Sequence, residues 1–100
     1  MKAVRLRQIA KRDLREATTW YAERNVDVAA RFTDEVARTL ELIEQFPSTG
    51  APVPGVTDRS IRRMPVHNFP YHVVFIELSE RIAVLAVAHD RRKPGYWTRA

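Results

Sequence analysis

The residues of this chain best suited to chemistry crowd its end. His89, Asp90, Arg91, Arg92 and Lys93 follow directly on an apolar run, and Tyr96 and Trp97 come shortly after. Cations beside aromatic rings suit a polyanion or an acidic partner better than they suit mere packing. His72 and His89 can take or give a proton near neutral pH, since an imidazole titrates at about 6.5. Cleavage of RNA by its own 2′-hydroxyl needs a base, cations for the crowded phosphorane and an acid for the leaving oxygen. Arg63, His72, His89, Arg91, Arg92 and Tyr96 supply those chemical types. A recognition surface without chemistry would draw on Arg62, Arg63, Arg91, Arg92, Lys93, Tyr96 and Trp97. Each residue also has a structural reading. His72 falls in a strand and His89 at a strand end, Arg62-Arg63 suits the solvated side of an edge strand, and Tyr96-Trp97 could fold back onto the sheet.

Other chemistries find no support. The chain has no cysteine, so thiolate nucleophiles and sulfur-ligated metals are excluded. The histidines at 67, 72 and 89 lack metal-ligand spacing, and no glycine-rich loop opens a helix to hold a phosphate. No metal and no cofactor is expected. The N-terminus turns charged too early for a signal peptide, and no window approaches the roughly 20 apolar residues of a membrane span. A cytoplasmic protein with no membrane partner is expected.

The elements that position these residues follow from periodicity. The 100 residues suit one domain, 1–100, with residues 89–100 as a basic aromatic tail. Its formal charge of +5 is uneven: residues 1–15, 59–63 and the tail are basic, whereas 26–46 are mostly acidic. Val4 and Leu6 alternate with Arg5 and Arg7, which predicts a short edge strand over 3–9. From Ala10 the period becomes helical, with Ala10, Leu14, Ala17 and Tyr21 on one stripe and Trp20 widening it. Asn25 stops that helix and Asp27 caps a second. There Phe32, Val36, Leu40 and Ile43 share a side, Ala29, Leu42 and Phe46 flank them, and Pro47 ends the run. The short link makes the two helices an antiparallel hairpin. A Pro/Gly loop over 47–55 leads to strand-like runs 61–66, 71–78 and 82–89. Ile61 and Met64 fall on opposite faces, which calls for a bulge or an edge position at Pro65.

The fold class is therefore α+β, ordered β-α-α-β-β-β, with a small antiparallel sheet and the hairpin on one face. The last two strands are apolar on both faces: Val73 and Phe75 oppose Val74 and Ile76, and Val84 and Ala86 oppose Leu85 and Val87. Two helices cover one face only. The other needs the tail or a partner chain, because an open apolar sheet face is a binding surface.

In this order of elements the chain resembles the RelE/ParE superfamily of toxins from bacterial type II toxin–antitoxin modules. The resemblance rests on Ala10-Lys11-Arg12-Asp13-Leu14, Trp20-Tyr21, Ala29-Ala30-Arg31-Phe32 and Phe46-Pro47-Ser48-Thr49-Gly50. It continues through Ile61-Arg62-Arg63-Met64-Pro65-Val66, Phe69-Pro70-Tyr71-His72-Val73-Val74-Phe75 and the run 82–92. It implies a cognate antitoxin, docked on the open apolar sheet face, and growth arrest when that antitoxin is lost. The ParE-like branch is implied to poison DNA gyrase without chemistry of its own. The RelE-like branch is implied to cut mRNA on the ribosome, with Arg63 near a strand lysine, Arg91 or Arg92 near a late-strand arginine and Tyr96 near a tail tyrosine. This chain departs from that branch at His72, where an arginine follows the strand tyrosine, and at Pro65, near a second lysine. The long helices, Arg62-Arg63 and Phe69-Pro70-Tyr71 look closer to ParE, which is the reading favoured. The alternatives are the RelE-like mRNA endonuclease and a non-toxic basic module gripping nucleic-acid phosphates.

Overall fold

The computed structural model describes residues 1–98. The chain runs β1 (Ala3–Leu6), α1 (Gln8–Ala22), α2 (Val26–Gln45), β2 (Ala51–Pro52), β3 (Ile61–Pro65), β4 (Tyr71–Glu77) and β5 (Arg81–His89). One 3-10 turn, Pro47–Thr49, follows α2, and another, Tyr96–Thr98, closes the tail. The five strands form one sheet in the order β1-β5-β4-β3-β2. The α+β class and the hairpin on one face are as the periodicity predicts; the order gains one strand, the two-residue β2, inside the stretch expected as a Pro/Gly loop. The sheet, however, is mixed: β2 to β5 pair antiparallel, while β1 lies parallel to β5. β1 is separated from β5 by the whole chain, so nothing local constrains its direction.

Local chemistry sets the helix ends. The cap of α2 is Asn25, not Asp27: the Asn25 side chain accepts from the backbone N–H of Asp27 and Val28. Asp27 instead sits in the first turn, where its charge favours the positive end of the helix dipole. Ala29, Phe32, Val36, Thr39 and Ile43 form the buried stripe of α2. Leu42 and Phe46 lie off that stripe and stay about half exposed, at 49% and 54%.

The bulge sought in β3 lies elsewhere. β3 pairs regularly with β4, and Pro65 lies past the short reach of β2, where a missing N–H is harmless. The irregularity is between β4 and β5: Val74 pairs with Ala86 but Phe75 with Val84, leaving Leu85 unmatched. The extra residue resets the alternation. Ile82, Val84 and Val87 face the helices with Val73 and Phe75, whereas Ala83, Leu85 and Ala86 face away with Val74. Ala86 and Val87 thus exchange the faces that strict alternation gives them.

The face away from the helices is closed. Val53 and Trp97 are buried against Val74, Ala83, Leu85 and Ala86, with Val56, Ile61, Ile76 and Tyr96 packed around them. Val74 and Ala86 are fully buried. Of the two covers the sequence allowed, tail or partner chain, the isolated chain uses its own tail, so the face is not open as it stands. The Pro-rich loop and the tail's aromatic pair provide the cover from the same chain.

Candidate functional site

The site grows from the place where β1 stops. β1 pairs with β5 only as far as Leu6 opposite Val84. The chain then turns into α1, and the rest of that β5 edge loses its strand partner. A buried ladder amide without a partner is costly. Asp13, on the first turns of α1, takes the vacant place: the Val87 N–H donates to its Oδ2 at 3.1 Å. The Tyr96 hydroxyl donates to the same oxygen at 2.6 Å. The Arg92 guanidinium lies 3.7 Å from Oδ1 and 3.4 Å from the centroid of the Tyr96 ring. One carboxylate thereby joins helix, sheet edge and tail. Burial raises the Asp13 pKa above its ordinary 3.8, against the opposing pull of Tyr96, Val87, Arg92 and Arg12. Tyr96 is pushed well above its usual 10 by burial and by donating to that carboxylate, so it stays a neutral phenol.

The histidines part company. His72 is buried on the side away from the helices, and its Nδ1–H donates to Asp90 Oδ1 at 2.9 Å. His89 lies on the helix side, packed edge-on against Tyr71 with ring centroids 5.1 Å apart. Its Nδ1 accepts from the Arg91 N–H at 3.1 Å, so a neutral His89 carries its proton on Nε2. The two rings stand on opposite faces of the sheet, and one substrate atom cannot reach both.

The arginines divide in the same way. Arg62 donates to the carbonyls of Ser48 and Gly50, at 3.0 and 2.9 Å, pinning the loop that follows α2. Arg63 lies one residue on, on the opposite face with Val74. Arg91 and Lys93 are exposed, and among the described residues their side chains form no ion pair. Trp97 is buried and Tyr96 half-buried, so neither ring is offered to a partner while the tail is closed. Arg92, Tyr96 and His89 therefore gather near Asp13, whereas Arg63 and His72 lie across the sheet.

Nothing in the residue types around Asp13 marks it as a site residue. The usable signal was its phase: Ala10, Asp13, Leu14, Ala17 and Tyr21 fall on one helical stripe, so an acid there must be buried and paired. Trp20, expected to widen the buried stripe, is 49% exposed and borders a cavity of about 460 Å³ beside Asp13.

Residues 4–94 match the family described as the ParE toxin of the type II toxin-antitoxin system, parDE. The chain belongs to the ParE toxin family. A curated relative, Toxin ParE1 of Caulobacter vibrioides, is 32% identical over 91 residues, covering 90% of this chain and 91% of that protein. A solved structure titled as the chromosomal ParDE TA system from P. aeruginosa superposes with a TM-score of 0.75 at 17% identity. That match covers 89% of this chain and 96% of that one, and at such identity it speaks for the fold. As a member of that family the chain is a toxin of the type II toxin–antitoxin class. Among the described residues no helix is long and apolar enough to cross a membrane.

Proposed function

We propose that this ParE-family toxin arrests growth in the cytoplasm by binding and inhibiting DNA gyrase, and that its antitoxin relieves the arrest. The observation that carries this reading over RNA cleavage is the separation of the catalytic candidates. His72 and His89 occupy opposite faces of the sheet, and the Tyr96 hydroxyl is already donated to buried Asp13. A general acid or base must reach the reacting proton, within hydrogen-bond distance or through one water. The residues left exposed for recognition are cations, Arg91 and Lys93 at the end of β5, with half-buried Arg63 on the side away from the helices.

Supercoiling by purified gyrase tests this directly. The toxin is expected to inhibit supercoiling or trap cleaved DNA with no ribosome present, and equimolar antitoxin to restore activity. The double variant Arg91→Ala/Lys93→Ala is expected to lose inhibition by at least about tenfold, the equivalent of roughly 1.4 kcal/mol. Full gyrase activity at excess toxin, with mRNA cut in a translating extract, would replace this reading by the nuclease one.

A further inference from the structure

A cavity of about 460 Å³ opens between α1 and the end of β4 and β5 where His89 lies. That size falls within the ordinary range of ligand sites. Its lining includes Asp13, Glu16, Trp20, Tyr21, Tyr71 and His89. Three features give it a definite chemistry. The Asp13 carboxylate is buried, its side chain only 3% exposed, and its Oδ2 is fully engaged by Val87 and Tyr96. Its Oδ1 accepts no hydrogen bond among the described residues; the Arg92 guanidinium at 3.7 Å is an ion-pair neighbour beyond hydrogen-bond reach. Glu16 adds a second carboxylate at the rim, held only by a 3.6 Å contact to exposed Arg12.

The walls are aromatic, and Tyr21 meets Tyr71 with centroids 6.3 Å apart. Neither tyrosine hydroxyl has a hydrogen-bond partner among the described residues. A hollow of unfilled acceptors, ring faces and two carboxylates offers a cation its partners, with the two neighbouring guanidinia, Arg12 and Arg92, both about half exposed to water. Arg92 also lines the hollow, but its guanidinium is drawn onto the Tyr96 ring and is 47% exposed, where water weakens its repulsion.

We propose that this cavity is a receptor for the guanidinium group of an arginine side chain on a partner polypeptide, which on the reading above is the antitoxin. A guanidinium is planar and presents several donors at once. It can stack on a tyrosine or tryptophan face while donating to Asp13 Oδ1 and Glu16, which a single ammonium does less well. The partner's basic residue would then be anchored beside the carboxylate that fastens the tail.

Amide NMR spectra of the isolated, isotopically labelled protein test this without antitoxin or gyrase. Failure of the toxin reading would leave this result untouched. N-acetyl-arginine-methylamide is expected to bind saturably at about 1–10 mM, as a ligand of so few atoms allows, with the largest shifts at Tyr21, Tyr71 and His89. The neutral isostere N-acetyl-citrulline-methylamide should bind at least tenfold more weakly. Glu16→Gln, at an exposed position that leaves the fold intact, should weaken the arginine probe about threefold. Equal binding of the citrulline probe, or no saturable shift with either, overturns the proposal. Tighter binding of agmatine than of the blocked arginine also overturns it, since the source would then be a free amine and not a polypeptide.

Discussion

Asp13 sits at a crossing of three parts of the chain, and its energetics are predictable at the level of atoms. The cost of burying its charge exceeds what its partners return, so its pKa rises on folding. The folded protein then holds this proton more tightly than the unfolded chain, for which the reference value is 3.8. The stability Asp13 confers is therefore greatest below that value and falls as pH rises through the folded-state pKa. Asp13→Asn, which keeps a carbonyl oxygen for the Val87 N–H, removes this dependence. The stability of Asp13→Asn relative to wild type should improve between pH 3.5 and 7, as read by urea midpoints at both pH values; a difference independent of pH would show that Asp13 titrates alike in both states. Tyr96→Phe deletes one hydrogen bond to a charged acceptor and should cost about 1.5–3 kcal/mol in urea unfolding. A phenylalanine keeps the packing against the Arg92 guanidinium, so a larger loss would mean that the ring had moved.

At the scale of elements, the helices were the most legible part of the sequence, because one face must be apolar and the period is long enough to read. The stripe Phe32, Val36, Ile43 lies on α2 as periodicity placed it. Strand faces were less legible. A single unmatched residue at Leu85 inverts the faces of Ala86 and Val87, and no residue type marks the bulge. The site depended on that inversion, since Val87 and its amide partner Asp13 meet beyond the bulge. The α2 cap was misassigned because Asn25 and Asp27 are both good capping types two residues apart. Asn25→Ala should therefore destabilise the protein by about 1 kcal/mol, while Asp27→Ala, which loses only a charge near the helix start, should cost less than Asn25→Ala in the same unfolding experiment. The loop after α2 is held by a close approach that only glycine allows: a Cβ on Gly50 would lie 2.6 Å from Phe75 Cζ and 3.0 Å from Arg62 Cβ. Phe75 is fully buried and cannot yield without repacking, so Gly50→Ala should cost about 1–3 kcal/mol.

For the molecule as a whole, the decisive question is what covers the sheet. Two apolar faces were plain from β4 and β5, but the identity of the second cover was not, because Val53 and Trp97 lie in segments without periodicity. The cover is thin: one loop valine and one indole are its buried members, flanked by half-buried Val56 and Tyr96. The tail that carries Trp97 is tied down by Tyr96 and Arg92 at Asp13 and by Asp90 at His72. Among the described residues the Trp97 Nε1–H is buried and finds no acceptor, a cost the closed tail bears in place. Trp97→Ala should consequently cost about 3–5 kcal/mol and expose Leu85 and Ala86. The uncovered face would then bind a hydrophobic dye that the wild-type protein does not. Antitoxin binding distinguishes two arrangements at this scale. If the antitoxin replaces the tail on the sheet, the tail must lift, and the indole of Trp97 moves from an apolar contact into water, with a red-shifted fluorescence. If it docks elsewhere, the emission of Trp97 stays where it is. Trp20→Phe leaves Trp97 as the sole indole, so titrating that variant with antitoxin reads the tail alone. With the sheet face already filled and the tail tied at two carboxylates, the expected result is an unshifted Trp97 emission at full occupancy.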